Sequence, residues 1–207
     1  THTSLPAGNQ LLTRLSPNSW VTHDMFVSSQ MHRGNLTIYD TTKQGADSVK
    51  RIDGNDALKA PDRAIQSMVA ADNGRLFASW YMTADQLLSV TPGERADGAT
   101  FKLVDSPTGQ GEGMAVNGDT LVVGLYPGAL VTSRSTTNDA EYKAVPATVA
   151  GQDRPYAITH TTDNVFAIGT VPGDGKLGGA LAFYDANAHK IQKTIAFDSL
   201  SYAAGVS

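Results

Sequence analysis

The sequence predicts an all-β fold in which one four-stranded unit occurs four times. Apolar, strand-like runs recur about every 45 residues, a spacing that is typical of repeat architectures. These runs are centred on Phe26, Phe77, Val122 and Phe166. The segments after the first and last runs are similar, since residues 34–40 read GNLTIYD and residues 179–185 read GALAFYD. No stretch combines the 3.6-residue apolar period of a helix with helix caps.

The first two strands of each unit, A and B, form a predicted hairpin. Strand B is expected around each apolar centre, and strand A is expected at residues 19–23, 65–71, 113–117 and 156–160. Three turn dipeptides lie between the two strands, namely Asn73-Gly74, Asn117-Gly118 and Asp163-Asn164. Such dipeptides favour tight type I′ hairpin turns. Both strands contain mainly apolar or small residues, which indicates burial on both faces.

Strands C and D complete each unit. Strand C is expected at residues 35–40, 86–91, 129–134 and 180–185. In the first and fourth units it ends in Asp40 and Asp185, whose carboxylates are placed to cap the next turn. Strand D is the most polar and carries one lysine in each unit, at Lys50, Lys102, Lys143 and Lys193. A polar fourth strand fits an exposed outer edge.

Four-stranded antiparallel units with this period predict the blades of a β-propeller. The expected domain spans residues 1–207, with blades at about 17–53, 64–105, 111–146 and 155–198. A flat β-sandwich is the alternative, but sandwiches rarely repeat one four-strand pattern. Two segments are left over, and they are expected to be unpaired terminal strands at residues 9–15 and 201–207.

These unpaired strands predict that the chain is part of a larger propeller of about six to eight blades. A lone strand leaves backbone N–H and C=O groups without partners, which is costly and favours aggregation. A second chain cleaved from a common precursor, further copies of this chain, or the rest of a longer chain would supply the missing blades. A compact four-bladed ring covered by both tails is the other alternative.

The register of the repeats resembles that of YncE-like and YVTN-repeat propellers. In those proteins a strand such as VFAIG, here residues 165–169, precedes a strand that ends in Val, Tyr or Phe, any residue, and Asp. Residues 182–185 match that second strand, and residues 25–29 with 37–40 repeat the pattern, whereas the middle units lack the Tyr-Asp pair. The resemblance implies a propeller over nearly the whole chain.

Composition and charge exclude several classes of function. The chain has 207 residues, a formal net charge of -4 and no cysteine, so it has neither the basic surface expected for nucleic-acid binding nor thiol chemistry. No apolar stretch is long enough to cross a membrane. The first residue is Thr1, which suggests a processed N-terminus and therefore a secreted or periplasmic protein.

The loops that join D to A and B to C are where propellers usually bind ligands, because loops carry function on a rigid scaffold. Aromatic, arginine and carboxylate side chains in these loops favour a glycan, a protein or a small molecule as ligand. The predicted ligand-binding residues are Arg63, Trp80, Tyr81, Glu112, Tyr126, Arg154 and Tyr156. The first hypothesis is therefore an extracytoplasmic recognition module.

The second hypothesis is an enzyme of the lactonase, lyase or quinoprotein type, with a metal or cofactor in a central channel. Glu112 and Asn117 are its candidate ligands, together with residues of the further blades. Residues 53–56 read Asp-Gly-Asn-Asp and have oxygen ligands for Ca²⁺, but they depart from the EF-hand spacing. No catalytic residues are identified, since the sequence has no nucleophile elbow or phosphate loop.

Overall fold

A computed structural model describes residues 9–24, 36–52, 65–82, 86–91, 100–105, 109–139 and 145–197. These residues form sixteen strands and one 3-10 turn at Gly45–Ser48, and no α-helix occurs among them. The prediction of an all-β fold is therefore confirmed.

The strands form four antiparallel four-stranded sheets, each with its strands in chain order. Sheet 1 contains β1 (Asn9–Ser16), β2 (Ser19–Asp24), β3 (Leu36–Asp40) and β4 (Val49–Ile52). Sheet 2 contains β5 (Ile65–Ala70), β6 (Leu76–Trp80), β7 (Gln86–Thr91) and β8 (Thr100–Asp105). Sheet 3 contains β9 (Gln110–Asn117), β10 (Thr120–Tyr126), β11 (Leu130–Ser135) and β12 (Ala147–Thr148). Sheet 4 contains β13 (Gln152–Thr162), β14 (Val165–Pro172), β15 (Ala180–Asp185) and β16 (Lys190–Ala196).

The chain divides into two compact units. The first comprises Thr1–Met82 and Leu87–Leu103, and its apolar core joins sheets 1 and 2 around residues such as Val21, Leu36, Leu76 and Trp80. The second comprises Thr83–Gln86 and Val104–Ser207, and its core joins sheets 3 and 4 around Val122, Val131, Phe166 and Tyr184. Each core is built from inner and central strands, as the apolar character of strands A to C predicts.

Sheet 1 corrects one prediction. The segment 9–15 is not an unpaired outer strand, because Asn9–Ser16 pairs antiparallel with Ser19–Asp24 and is the first strand of the sheet. The hairpin turns at Pro17 and Asn18, and these two residue types favour tight turns. Residues 19–23 are therefore strand B and not strand A. The predicted strand B at 25–29 and the terminal strand at 201–207 lie outside the described residues.

The other units follow the prediction closely where the structure describes them. The fourth described strand of sheet 3 is Ala147–Thr148, which pairs with β11, and the predicted strand D around Lys143 lies outside the described residues except for its last residue. Both predicted caps of strand C are confirmed. Asp40 Oδ1 accepts the backbone N–H of Thr42 at 2.9 Å, and Asp185 Oδ1 accepts the N–H groups of Asn187 and Ala188, each at 2.9 Å.

The strand pairing also shows a feature that the sequence analysis did not predict. In every sheet the pairing of the first two strands has a β-bulge away from the hairpin turn, opposite two adjacent residues among the fourth to sixth of the second strand. The bulged residues at this position are Leu11, Gln66, Glu112 and Tyr156, and further register shifts occur at Leu15 in β1 and at Asp153 and Thr161 in β13. A β-bulge locally redirects side chains and is common beside functional sites.

Candidate functional site

The candidate site lies in the second unit and begins with the bulged residue of β9. Gly113 pairs with Gly124 and Gly111 pairs with Leu125, so Glu112 between them is the bulged residue of the hairpin. Its side chain is fully buried, with 0% exposure. Since a buried carboxylate is expensive unless it is paired, the contacts of Glu112 decide whether this geometry is stable.

Two neighbours satisfy the carboxylate of Glu112. Arg154 Nη1 of β13 lies 2.7 Å from Glu112 Oε1 and forms a salt bridge with it. The side-chain amide of Gln110, itself buried, donates to the same oxygen at 2.7 Å. One charged donor and one neutral donor therefore compensate the buried charge.

Close contact between β13 and the β9-β10 hairpin brings Arg154 to Glu112. A Cβ on Gly113 would lie 2.5 Å from the carbonyl oxygen of Tyr156, and a Cβ on Gly124 would lie 2.6 Å from Pro155 Cγ. These two glycines face each other across the hairpin. Only residues without a side chain allow the backbone of β13 to come this near.

Tyr126, the last residue of β10, holds the guanidinium of Arg154 from another side. Arg154 Cζ lies 3.6 Å from the centre of the Tyr126 ring, which is a close cation-π contact. Asp153, next to Arg154, braces the turn that follows Tyr126, because its Oδ1 accepts the N–H of Gly128 at 2.9 Å and its carbonyl accepts the N–H of Ala129 at 2.8 Å.

Tyr156 lies at one of the three register shifts of β13 and completes the site. Burial opposes the charge on Arg154, but attraction to Glu112 and contacts with Tyr156 and Tyr126 outweigh it and raise the pKa of Arg154. The side chain of Arg154 is still 31% exposed, and Tyr156 is 38% exposed. We call Gln110, Glu112, Tyr126, Arg154 and Tyr156 the Arg154 cluster.

The structure brings together four of the seven predicted ligand-binding residues, namely Glu112, Tyr126, Arg154 and Tyr156. They belong to strands β9, β10 and β13, although the sequence analysis assigned most of them to loops. Trp80 ends β6 in the first unit and is buried, whereas Tyr81 follows it and is 42% exposed. Arg63 lies outside the described residues.

Sequence reasoning missed Gln110. The signal was present, because residues two apart in a strand point to the same face, and Gln110 precedes Glu112 by two positions. The sequence predicts a D-to-A loop over residues 105–112 and a strand A that begins only at Gly113, so Gln110 and Glu112 were not compared as residues of one strand.

A separate polar cleft of about 210 Å³ lies between sheets 3 and 4, at the turn ends of the strands. At its base Ser133 Oγ lies 3.1 Å from Tyr184 Oη and 3.1 Å from His189 Nδ1. Ser133 and Tyr184 are almost fully buried. These hydrogen bonds join β11 to β15 and to the turn after it, so the group ties the two sheets together.

The first unit has a cleft of about 330 Å³ of its own. Its lining includes Ser16, Asp40, Lys43, Asp47 and Lys50. Lys43 Nζ lies 3.4 Å from Asp40 Oδ2, so two of its charges pair with each other.

The proposed metal ligands do not converge in the described part of the chain. Glu112 is engaged by Arg154 and Gln110, and Asn117 Nδ2 donates to the carbonyl of Asp163 at 2.9 Å. Among the described residues no three His, Asp or Glu side chains are arranged to hold a metal ion. The Asp-Gly-Asn-Asp segment at 53–56 lies outside them.

Solved structures establish the class of fold. The chain is similar to Kuenenia stuttgartiensis hydrazine synthase, with a TM-score of 0.68 and 14% identity over 95% of this chain and 51% of that one. It is similar to the Dos1 propeller, with a TM-score of 0.59 and 8% identity over 87% of this chain and 45% of that one. A nidogen/laminin complex matches with a TM-score of 0.59 and 12% identity over 95% of this chain and 66% of that one.

These neighbours are β-propellers, so the four sheets are propeller blades and the predicted fold class is confirmed. The chain spans about half the length of the first of these structures. No protein-family model and no curated protein matches the sequence. The YncE-like resemblance therefore stays a prediction. No helix in the described parts of the chain has the length and apolarity needed to span a membrane.

Proposed function

We propose that the chain is part of an extracytoplasmic β-propeller recognition module that binds a polar ligand through the Arg154 cluster. One observation carries the proposal. Arg154 is held by a fully buried carboxylate and by a tyrosine ring, yet nearly a third of its side chain faces solvent. A fixed charged group beside part-exposed aromatic rings is the usual composition of a binding site.

A purely structural salt bridge explains this geometry less well. Taking both charges out of water costs more than their attraction returns in many proteins, and apolar residues of similar volume often stabilise as much. Here the arginine remains accessible while two tyrosines flank it. The arginine is already ordered in the free protein. Binding is therefore favoured, because less side-chain conformational entropy is lost when a ligand binds.

We further propose that additional blades, from a second chain or from further copies, complete the ring. The neighbouring propellers are longer than this chain. The burial pattern of β15 supports the idea, since buried residues alternate with half-buried ones such as Leu181 and Phe183. In sheet 3 the equivalent third strand, β11, is buried on both faces over Val131 to Ser133. A further sheet against sheet 4 would bury the second face of β15 in the same way.

Nuclear magnetic resonance of the 15N-labelled protein tests the recognition site. A panel of galactose, N-acetylglucosamine, galacturonate, succinate and N-acetyl-diglycine amide samples sugars, anions and peptides. We expect at least one member, at millimolar concentration, to shift the amide signals of Gly111, Gly113 and Gly128. Gly118, in the turn at the other end of β9, should not shift.

A double variant, Glu112→Gln with Arg154→Gln, removes both charges without leaving one buried alone. It should keep the dispersed spectrum of the folded protein and lose the ligand-induced shifts. If no member of the panel shifts these amides, or if the double variant responds as the wild type does, the proposed site is wrong.

A further inference from the structure

We infer that the ligand of the Arg154 cluster carries a carboxylate group, an inference that rests on the proposed function. The reason is an asymmetry between the charges of the cluster that are buried and those that are exposed. The acceptor, Glu112, is fully buried, whereas the donor, Arg154, is 31% exposed. A ligand arriving from solvent therefore meets the positive partner of the pair and not the negative one.

The remaining polar groups strengthen this asymmetry. Gln110, which also carries an acceptor oxygen, is buried. Asp153, the carboxylate nearest in sequence, accepts the N–H of Gly128 and so belongs to the turn. The part-exposed members are Arg154 and the two tyrosines, whose hydroxyl groups can donate.

The guanidinium of Arg154 has more N–H donors than its contacts within the cluster require. A guanidinium carries five N–H donors in a planar fork, which matches the two oxygens of a carboxylate. Within the described residues, its hydrogen-bonding partners are Glu112 and Tyr156. Tyr126 covers one face of the guanidinium, so the stacked ring also fixes the plane in which a ligand carboxylate would lie.

A neutral sugar is the closest competing ligand, because tyrosine rings stack on sugars. Sugar hydroxyls, however, are donors as well as acceptors, and sites that recognise them expose an acceptor beside the ring. In the Arg154 cluster the carboxylate that would accept from a hydroxyl is inaccessible. The exposed chemistry thus favours an acceptor-only group.

Isothermal titration calorimetry with three related probes tests the inference. Galacturonate, its methyl ester and galactose share the sugar ring and differ in the carboxylate. We expect galacturonate to bind about tenfold to a hundredfold more tightly than either neutral probe, since a hydrogen bond to a charged group is stronger than one between neutral groups. Succinate should bind while dimethyl succinate should not.

Two variants separate the possible outcomes. The double variant Glu112→Gln with Arg154→Gln should reduce galacturonate affinity to that of galactose. Arg75→Gln, which removes another ring-stacked arginine, should leave the affinity unchanged. Equal affinity for galacturonate and galactose, both lost in the double variant, would overturn the carboxylate inference but retain the recognition site. Binding that survives in the double variant, or no binding of any probe, would overturn both.

Discussion

The hairpins β5-β6 and β9-β10 share one backbone design and differ in chemistry. Each has one β-bulge near the end of its second strand, and the bulged residue is Gln66 in the first hairpin and Glu112 in the second. Gln66 is neutral and half-buried, whereas Glu112 is charged and buried against Arg154. The repeat thus determines where a bulged residue appears, and the residue type determines whether that position becomes a site.

The two hairpins also differ in the cross-strand pair of residues next to the bulge, and this difference determines how closely another strand can approach. In β5-β6 the pair is Ser67 and Ser79, and in β9-β10 it is Gly113 and Gly124. Serine has a Cβ and glycine does not. The loss of two side chains in sheet 3 creates the room in which β13 approaches and delivers Arg154 to the bulged glutamate.

The largest predicted effect comes from removing the charge that balances Glu112. Arg154→Leu leaves a buried carboxylate without its salt bridge and should lower the free energy of unfolding by about 3 kcal/mol. Arg75→Leu in the first unit removes a ring-stacked arginine, 5.1 Å from the Phe77 ring, that bonds to the neutral Ser89. It should cost about 1 kcal/mol. Urea denaturation followed by circular dichroism measures both.

The double variant Glu112→Leu with Arg154→Leu is the control for this comparison. It should recover most of the lost stability, because no buried charge remains. Equal losses in the two single variants, or no recovery in the double variant, would show that Glu112 does not depend on Arg154 for its burial.

A second prediction concerns the glycine pair. Gly124→Ala places a Cβ 2.6 Å from Pro155 Cγ and should lower the free energy of unfolding by about 2 kcal/mol, the usual range for an overpacked core. Ser79→Ala at the matching position of sheet 2 should change it by less than about 1 kcal/mol, because that position already has a Cβ. Gly124→Ala should also weaken galacturonate binding, since Arg154 moves with β13. An alanine tolerated equally at both positions would contradict the close-approach argument.

Much of the fold could be predicted because apolar period and turn residues are local properties of the sequence. In the second and fourth units the four predicted strands lie where the structure has them. Strands A and B of the first unit were predicted one strand too late along the chain. The apolar run around Phe26 was taken as strand B because it is more apolar than residues 9–16. The actual hairpin depends on the Pro17-Asn18 turn and on pairing, which a polar first strand does not reveal.

The site was predictable in part for the same reason. Glu112, Tyr126, Arg154 and Tyr156 were recognisable as binding residue types, and their repeat positions placed them near one end of the strands. The bulges were not predictable, because a bulge is a relation between two strands and not a property of either sequence. The burial of Glu112 depends on that relation and on Gly124, which is twelve residues away.

The smallest predicted effect concerns the turns of the same two hairpins, which should differ in how their contribution to stability depends on pH. In the β5-β6 turn Asn73 Oδ1 accepts the N–H of Arg75 at 3.0 Å. In the β9-β10 turn the acceptor is a carboxylate two residues after Asn117, namely Asp119, which accepts from Ser135 Oγ at 2.7 Å and from the hydroxyl groups of Thr136 and Thr137. The hydrogen bonds from Ser135, and then those from the two threonines, lower the pKa of Asp119 to about 2 against the opposing effect of burial.

Because an unfolded aspartate titrates near about 3.9, the folded state binds this proton less tightly than the unfolded state does. The stabilisation by Asp119 is therefore complete above about pH 4 and is lost as the pH falls toward 2. Asp119→Asn should be less stable than the wild type at neutral pH, and the difference should shrink over that acidic window. Asn73→Ala should show a difference that does not change with pH, because an amide does not titrate. Urea midpoints measured from neutral pH down to the acid limit of folding test both, and a constant difference for Asp119→Asn would refute the role of the carboxylate.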